Sequence, residues 1–112
     1  MASAPDRDHF GRKLDTLIHC ALNRRTLKLS CRNCPHVGLL DAVPVFFLFE
    51  RKGWSGLMWD VPKRFYCSRC LTERLRKVRA PRVQVTTEQP GKSQFPYPDE
   101  RTWKKLLSRY RS

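Results

Sequence analysis

Acidic residues are scarce in this chain, and long apolar runs are missing. Its 112 residues include only 10 Asp and Glu against 23 Lys and Arg, which gives a formal net charge of +13. So large a positive excess favours anionic partners, with nucleic acid first and acidic lipid or protein surfaces behind it. The longest apolar run, from Ala42 to Phe49, is far shorter than the roughly 20 residues that a membrane-spanning helix needs. The composition therefore argues against an integral membrane protein.

No secretory signal is visible in residues 1–30, because charged residues interrupt every apolar stretch there. We therefore expect a cytoplasmic protein. In that reducing compartment, paired cysteines are metal ligands more often than disulfides. The one cysteine without a partner in the sequence is Cys20. We interpret it as a small apolar packing residue rather than a ligand or a nucleophile.

The residue groupings that mark common enzyme classes are missing as well. The chain has no Ser, His and Asp constellation, no Gly-rich phosphate loop and no His-Glu metal motif. Its few acidic residues are scattered and look like helix caps or salt-bridge partners. The sequence therefore predicts a protein that is not an enzyme.

Two Cys-x-x-Cys pairs are the most informative feature that the chain does contain. They comprise Cys31 with Cys34 and Cys67 with Cys70. Together they supply the four sulfurs of a closed tetrahedral site, which is structural rather than catalytic. We expect one structural Zn²⁺, although iron or two disulfides remain alternatives. His36 is a possible replacement ligand, but with four cysteines available an imidazole that lies beside the ligands or faces solvent is favoured.

The spacing between the pairs is longer than the ~15–20 residues of simple zinc modules, and a helix between them would account for it. The run from Val43 to Phe49 fits either a helix or a buried strand. We favour the helix, because Asp41 would cap its start, Pro44 would fall in its first turn and Gly53 would end it.

Apolar spacing and turn residues predict the remaining elements. The sequence indicates a helix from Asp8 to Asn23 capped by Asp8, a strand from Thr26 to Ser30, a helical turn over 60–64, a short helix over 71–78, an edge strand over 83–86 and a helix over 99–111. The predicted organisation is a disordered lead over 1–7, a zinc-binding domain with its N-terminal helix over 8–87, a Pro-rich linker over 88–98 and a basic amphipathic helix over 99–112.

The two cysteine segments carry a resemblance to a known group. Residues 29–36 (LSCRNCPH), an intervening helix and residues 64–70 (RFYCSRC) resemble small uncharacterised bacterial zinc-ribbon proteins, and more loosely the zinc-ribbon and treble-clef groups. The likeness covers about residues 27–85 and implies a structural Zn²⁺ on the four cysteines. Pro35 and Leu71 stand where glycine commonly follows the second cysteine of such a turn. At the second pair this departure permits a helix start, as in treble clefs.

Basic residues concentrate next to the second cysteine pair. Arginine dominates this group, and its planar guanidinium suits phosphate contacts. A solvated charged face is the plainer alternative, but the excess charge of the whole chain favours binding. The predicted nucleic-acid contacts are Arg32, Arg69, Arg74, Arg76, Lys77, Arg79 and Arg82.

The predicted C-terminal helix has an apolar stripe that includes Trp103, Leu107 and Tyr110. The simplest interpretation is that this stripe packs on the core of the domain. Alternatively it binds a partner protein, and a membrane surface is a weaker third possibility.

Taken together, these features predict an α+β fold, namely a small zinc-ribbon or treble-clef-like domain with four cysteine ligands and flanking helices. The predicted function is regulatory nucleic-acid binding through the phosphate backbone, with DNA and RNA left open. The alternative is a protein-interaction adaptor that uses aromatic residues and the C-terminal helix. The oligomeric state is left open.

Overall fold

The structure is a computed structural model, and it describes residues 7, 11–91 and 95–111. It confirms the predicted α+β class, because a three-stranded antiparallel sheet packs with helices around one core. The elements in chain order are α1 (Leu17–Leu22), β1 (Thr26–Ser30), β2 (Val37–Asp41), α2 (Ala42–Lys52), a 3-10 helix (Val61–Arg64), α3 (Ser68–Arg74), β3 (Arg82–Thr86) and α4 (Glu100–Arg111).

Strand β1 lies in the middle of the sheet, in the order β2-β1-β3. Leu27 is opposite Leu40 on one side and Val85 on the other, so one face of the sheet is apolar. This face packs on the core, where Leu27 is fully buried. Strand β3 lies at an edge of the sheet, as predicted, whereas β2 was not predicted.

Helix α2 is confirmed as the element between the cysteine pairs. The Asp41 carboxylate accepts a hydrogen bond from the Val43 N–H at 3.0 Å, which caps the start of the helix. Gly53 ends it with a φ of 68°, a conformation that glycine adopts without steric cost. Six residues of α2 are buried, including Pro44, Phe46 and Phe49.

The predicted N-terminal helix is too long, because α1 begins only at Leu17. Gly11 has a φ of 82°, which is incompatible with a right-handed helix. Thr16 is extended, and its hydroxyl accepts a hydrogen bond from the His19 N–H at 3.4 Å, so it serves as the cap. Asp8, the predicted cap, lies outside the described residues. Leu14 is nevertheless buried, from a segment without helical structure.

The second half of the chain differs from the prediction in one helix. The turn over 60–64 is confirmed as a 3-10 helix. The helix expected over 71–78 instead starts at Ser68, inside the second cysteine pair, and ends at Arg74. The reason is that the Cys67 sulfur caps this helix by accepting the Cys70 N–H.

The predicted division into lead, domain, linker and tail stays a prediction. Of the lead, only Arg7 is described. In the predicted linker, residues 88–91 and 95–98 form neither helix nor strand, yet they contact the sheet. The Gly91 N–H donates to the Leu39 carbonyl at 3.0 Å, and the Tyr97 hydroxyl donates to the Asp41 carboxylate at 2.9 Å. Across the described ranges, no helix is both long and apolar enough to cross a membrane.

Candidate metal centre

Two tight turns present the cysteine sulfurs. The first follows β1 and returns the chain into β2, and the Cys31 N–H closes it by donating to the His36 carbonyl at 3.0 Å. The second leads into α3, and the Cys67 N–H donates to the Val78 carbonyl at 3.0 Å. Each pair therefore lies where a regular element begins or ends, which fixes the direction of its side chains.

The four sulfurs form one compact group. The Sγ atoms of Cys31, Cys34, Cys67 and Cys70 all lie within 4.8 Å of one another. Cys31 lies 3.6 Å from Cys70, and Cys34 lies 3.6 Å from Cys67. Four sulfurs about 2.3 Å from a tetrahedral metal ion would be about 3.8 Å apart. The geometry fits such an ion, and all four cysteines are free of disulfides.

Backbone and side-chain groups donate hydrogen bonds to these sulfurs. The Asn33 N–H lies 3.3 Å from the Cys31 sulfur, and the Cys70 N–H lies 3.4 Å from the Cys67 sulfur. These N–H groups favour the thiolate form that a metal requires. The His36 Nδ1 lies 3.6 Å from the Cys67 sulfur, so this imidazole lies beside a predicted ligand, which is one of the two positions favoured from the sequence.

The acidity of the thiols differs across the group. Burial opposes ionisation of Cys31, but the backbone N–H groups of Asn33 and Cys34 outweigh it and lower its pKa to about 6. Burial and the neighbouring sulfurs raise the pKa of Cys70 to about 12. Four thiolates cannot share so small a volume without a cation to offset their repulsion. The donor set is therefore that of a metal site, and four protein ligands leave no open position for a substrate.

Cys20 lies apart from this group, in the core. It is fully buried, its sulfur lies 4.0 Å from the Leu14 carbonyl, and burial raises its pKa to about 12. These values confirm the interpretation of Cys20 as a packing residue, since a buried neutral thiol is inert.

The predicted nucleic-acid contacts lie close to the cysteine group along the chain. Arg32 lies within the first pair, and its Nε donates to the Ala80 carbonyl at 2.7 Å, which ties the first turn to the segment after α3. The Arg76 N–H donates to the Cys70 carbonyl at 3.2 Å. The remaining members lie on α3, on the segment after it or at the start of β3, and all seven are exposed: Arg32, Arg69, Arg74, Arg76, Lys77, Arg79 and Arg82.

The predicted partner-binding residues of α4 make contacts within the chain. Trp103 and Tyr110 each meet the Phe46 ring edge-on, at centroid distances of 6.1 and 5.9 Å. Leu107 packs against the core, and the Tyr110 hydroxyl donates to Glu50. Core packing was the simpler interpretation of this stripe, and partner binding stays a prediction.

Two features of this region were not found from the sequence. One is Asn33, whose side-chain amide also lies 3.9 Å from the Cys70 sulfur. Its position between two cysteines of a turn was the available signal. The other is a cavity beside the cysteine group, which depends on residues brought together from separate segments of the chain.

Comparisons with known proteins give no further guidance. No protein-family model, no curated protein and no solved structure matches the chain. What the structure supports is therefore a small α+β domain with four cysteines close enough together to hold one metal ion.

Proposed function

We propose that the chain is a zinc-stabilised nucleic-acid-binding domain with a regulatory role. Zn²⁺ is the most suitable ion because it accepts four thiolates in tetrahedral geometry. It also needs no redox partner, which suits a closed structural site. In this proposal the ion is a scaffold, and the basic side chains around it contact phosphates.

The observation that carries the proposal is uncompensated positive charge around the cysteine group. In the part of the chain that the structure describes, none of the seven predicted contact residues forms an ion pair with an acidic side chain. Basic residues elsewhere behave differently, since Lys28, Lys63, Lys104 and Arg109 each pair with an acid. Exposed, unpaired arginines are available for phosphate.

The metal turns also hold these charges together. Arg32 is tied to the Ala80 carbonyl, and the N–H of Arg76 is tied to Cys70. An ordered array loses less conformational entropy on binding than a flexible basic tail would. The segment around the cysteine group is therefore a better candidate for the nucleic-acid contact than α4.

The proposal is tested by the salt dependence of binding. Zinc-loaded protein is titrated into labelled duplex and single-stranded oligonucleotides at several salt concentrations, with fluorescence anisotropy as the readout. We expect affinity to fall steeply with salt, and the triple variant Arg74→Gln, Arg76→Gln, Arg79→Gln to reduce the log–log slope by roughly 2–3, because each lost phosphate contact removes about 0.7–0.9.

The matched control removes the same charge elsewhere, by Lys52→Gln, Arg101→Gln and Lys105→Gln on α2 and α4. It should change the slope much less. Unchanged affinity of the first triple variant would remove the proposal. The adaptor alternative predicts instead a protein partner whose binding hardly responds to salt, since an apolar interface is not screened.

A further inference from the structure

A cavity of about 420 Å³ opens beside the cysteine group. It lies between the apolar face of the sheet, the end of α2 and the segment from Arg64 to Ser68, and Cys31 and Cys67 line one end of it. Its volume falls within the roughly 300–1,000 Å³ of small-molecule and cofactor sites.

The cavity exists because a glycine stands where the sheet would otherwise fill it. Gly38 is opposite Leu29 in the β1–β2 register, so it belongs to the apolar face. A Cβ built on Gly38 would have no atom within 4 Å. The cavity is therefore open on the side of Gly38, and a side chain at this position would occupy that space.

The walls are aromatic and firmly supported. Phe49, which is 2% exposed, packs edge-on against Trp54 at 5.3 Å and stacks with Phe65 at 6.1 Å. Trp54 and Phe65 are half-buried, and Tyr66 is 46% exposed. Phe49 is too buried to contact a ligand, but the partly exposed rings that it supports can offer a face on which another planar group stacks at little entropic cost.

The surroundings of these rings are cationic. The Arg64 guanidinium lies 4.7 Å from the centre of the Trp54 ring, and the Lys77 ammonium lies 5.0 Å from the centre of the Tyr66 ring. None of the lining residues in the described part of the chain is acidic. Lys77 also belongs to the seven basic residues, so the aromatic cavity continues into the proposed phosphate-binding surface.

We propose that this cavity takes one unpaired nucleobase, whose flanking phosphates lie on Arg64 and Lys77. The inference rests on the proposed nucleic-acid binding and narrows it to single strands, because a base inside a duplex is already stacked and cannot enter. The aromatic rings select a base because it is planar, and the positive side chains bind the phosphates on either side of it.

The first test uses the unaltered, zinc-loaded protein and three probes of equal length and charge. They are oligothymidine, oligouridine and an oligomer of abasic sites, with a duplex of the same length as the fourth arm. We expect the oligomers with bases to bind about 5- to 150-fold more tightly than the abasic one, the range that stacking of one base on aromatic rings gives. They should also bind more tightly than the duplex. A preference for the ribose or the deoxyribose strand would assign RNA or DNA.

The second test fills the cavity. Gly38→Phe should lower affinity for oligothymidine to that of the abasic oligomer, whereas Val37→Phe, on the other face of the same strand and 44% exposed, should leave it unchanged. Zinc content and far-ultraviolet circular dichroism show whether each variant is folded. If Gly38→Phe does not fold, the cavity inference is tested by the affinities of the unaltered protein for base-containing and abasic oligomers.

The possible failures are distinguishable. Equal binding of abasic and base-containing strands would overturn the cavity inference and leave nucleic-acid binding intact. Tighter binding of the duplex than of any single strand would do the same. Absence of binding to all four probes at low salt would overturn both proposals.

Discussion

Leu75 combines two unfavourable features at one position. Its φ of 51° and ψ of 32° place it in the left-handed region, and its side chain is 87% exposed. Glycine usually ends a helix in this conformation, because a Cβ there costs roughly 1–2 kcal/mol. The turn that Leu75 makes lets the Arg76 N–H reach the Cys70 carbonyl. The strain is therefore located where the chain leaves the metal site and begins its basic run.

Leu75→Gly should stabilise the zinc-loaded protein by about 0.5–1 kcal/mol, since the relief of strain exceeds the extra entropy of glycine in the unfolded chain. Urea denaturation provides the measurement. Leu71→Gly is the matched control: it makes the same exchange within α3, where glycine should cost up to about 1 kcal/mol. A loss of stability in Leu75→Gly comparable to that control would contradict the argument.

Helix α4 depends on a few contacts with α2. Leu106 is buried, Trp103 and Tyr110 both meet Phe46, and Glu50 accepts a hydrogen bond from the Tyr110 hydroxyl. That hydrogen bond, together with partial burial, raises the pKa of Tyr110 to about 12. The docking of this helix is therefore linked to the protonation of one phenol.

Stability should consequently fall at high pH through Tyr110. Its pKa in the folded state lies above the value of about 10 expected in an unfolded chain. The contribution is thus fully present below pH 10 and is lost as the pH rises from about 10 toward 12. We expect Tyr110→Phe to lack this component, so the difference in unfolding midpoint between the two proteins should shrink over that interval. A constant difference would disprove the linkage.

The helices and strands differ in how well the sequence predicts them. Strand β1 and helix α2 were predicted because alternation and caps are local signals, as with Asp41 and Gly53. Strand β2 was missed because its apolar run has no alternation, and only pairing with β1 makes it a strand. The N-terminal helix was predicted too long because Leu14 keeps the helical spacing although its backbone is not helical.

The candidate site divides in a similar way. Convergence of the four cysteines was predictable because each Cys-x-x-Cys spacing brings two sulfurs together and one tetrahedral metal ion needs four. The start of α3 within the second pair was only hinted at by Leu71, since a sulfur acting as a helix cap is a three-dimensional property. The aromatic cavity was not predictable, because Gly38 has no local signature and its neighbours come from distant segments.

At the scale of the whole molecule, the fold has one apolar core and, apart from it, the group of four cysteines. The core joins α1, α2, α4 and the sheet. In contrast, Cys70 is the one buried residue of α3, and that residue is a predicted metal ligand. Helix α3 and the basic segment after it therefore have little apolar packing of their own, and a metal ion bound by the four cysteines would hold them against the rest of the domain.

Metal removal should thus loosen this half of the molecule first. After chelation we expect the amide hydrogens of α3 to lose protection from exchange while those of α2 retain more of theirs, and we expect a lower melting temperature. A loss of even about 3 kcal/mol would lower it by roughly 10–20 °C for a domain of this size. Added Zn²⁺ should restore both properties.

Native mass spectrometry should find one Zn²⁺ per chain, retained in Cys20→Ala and lost in Cys70→Ser, because only the second change removes a ligand. If metal-free protein, verified by mass, kept the exchange pattern and the melting temperature of the loaded form, the cysteine group would not organise α3, and the basic surface would need another support.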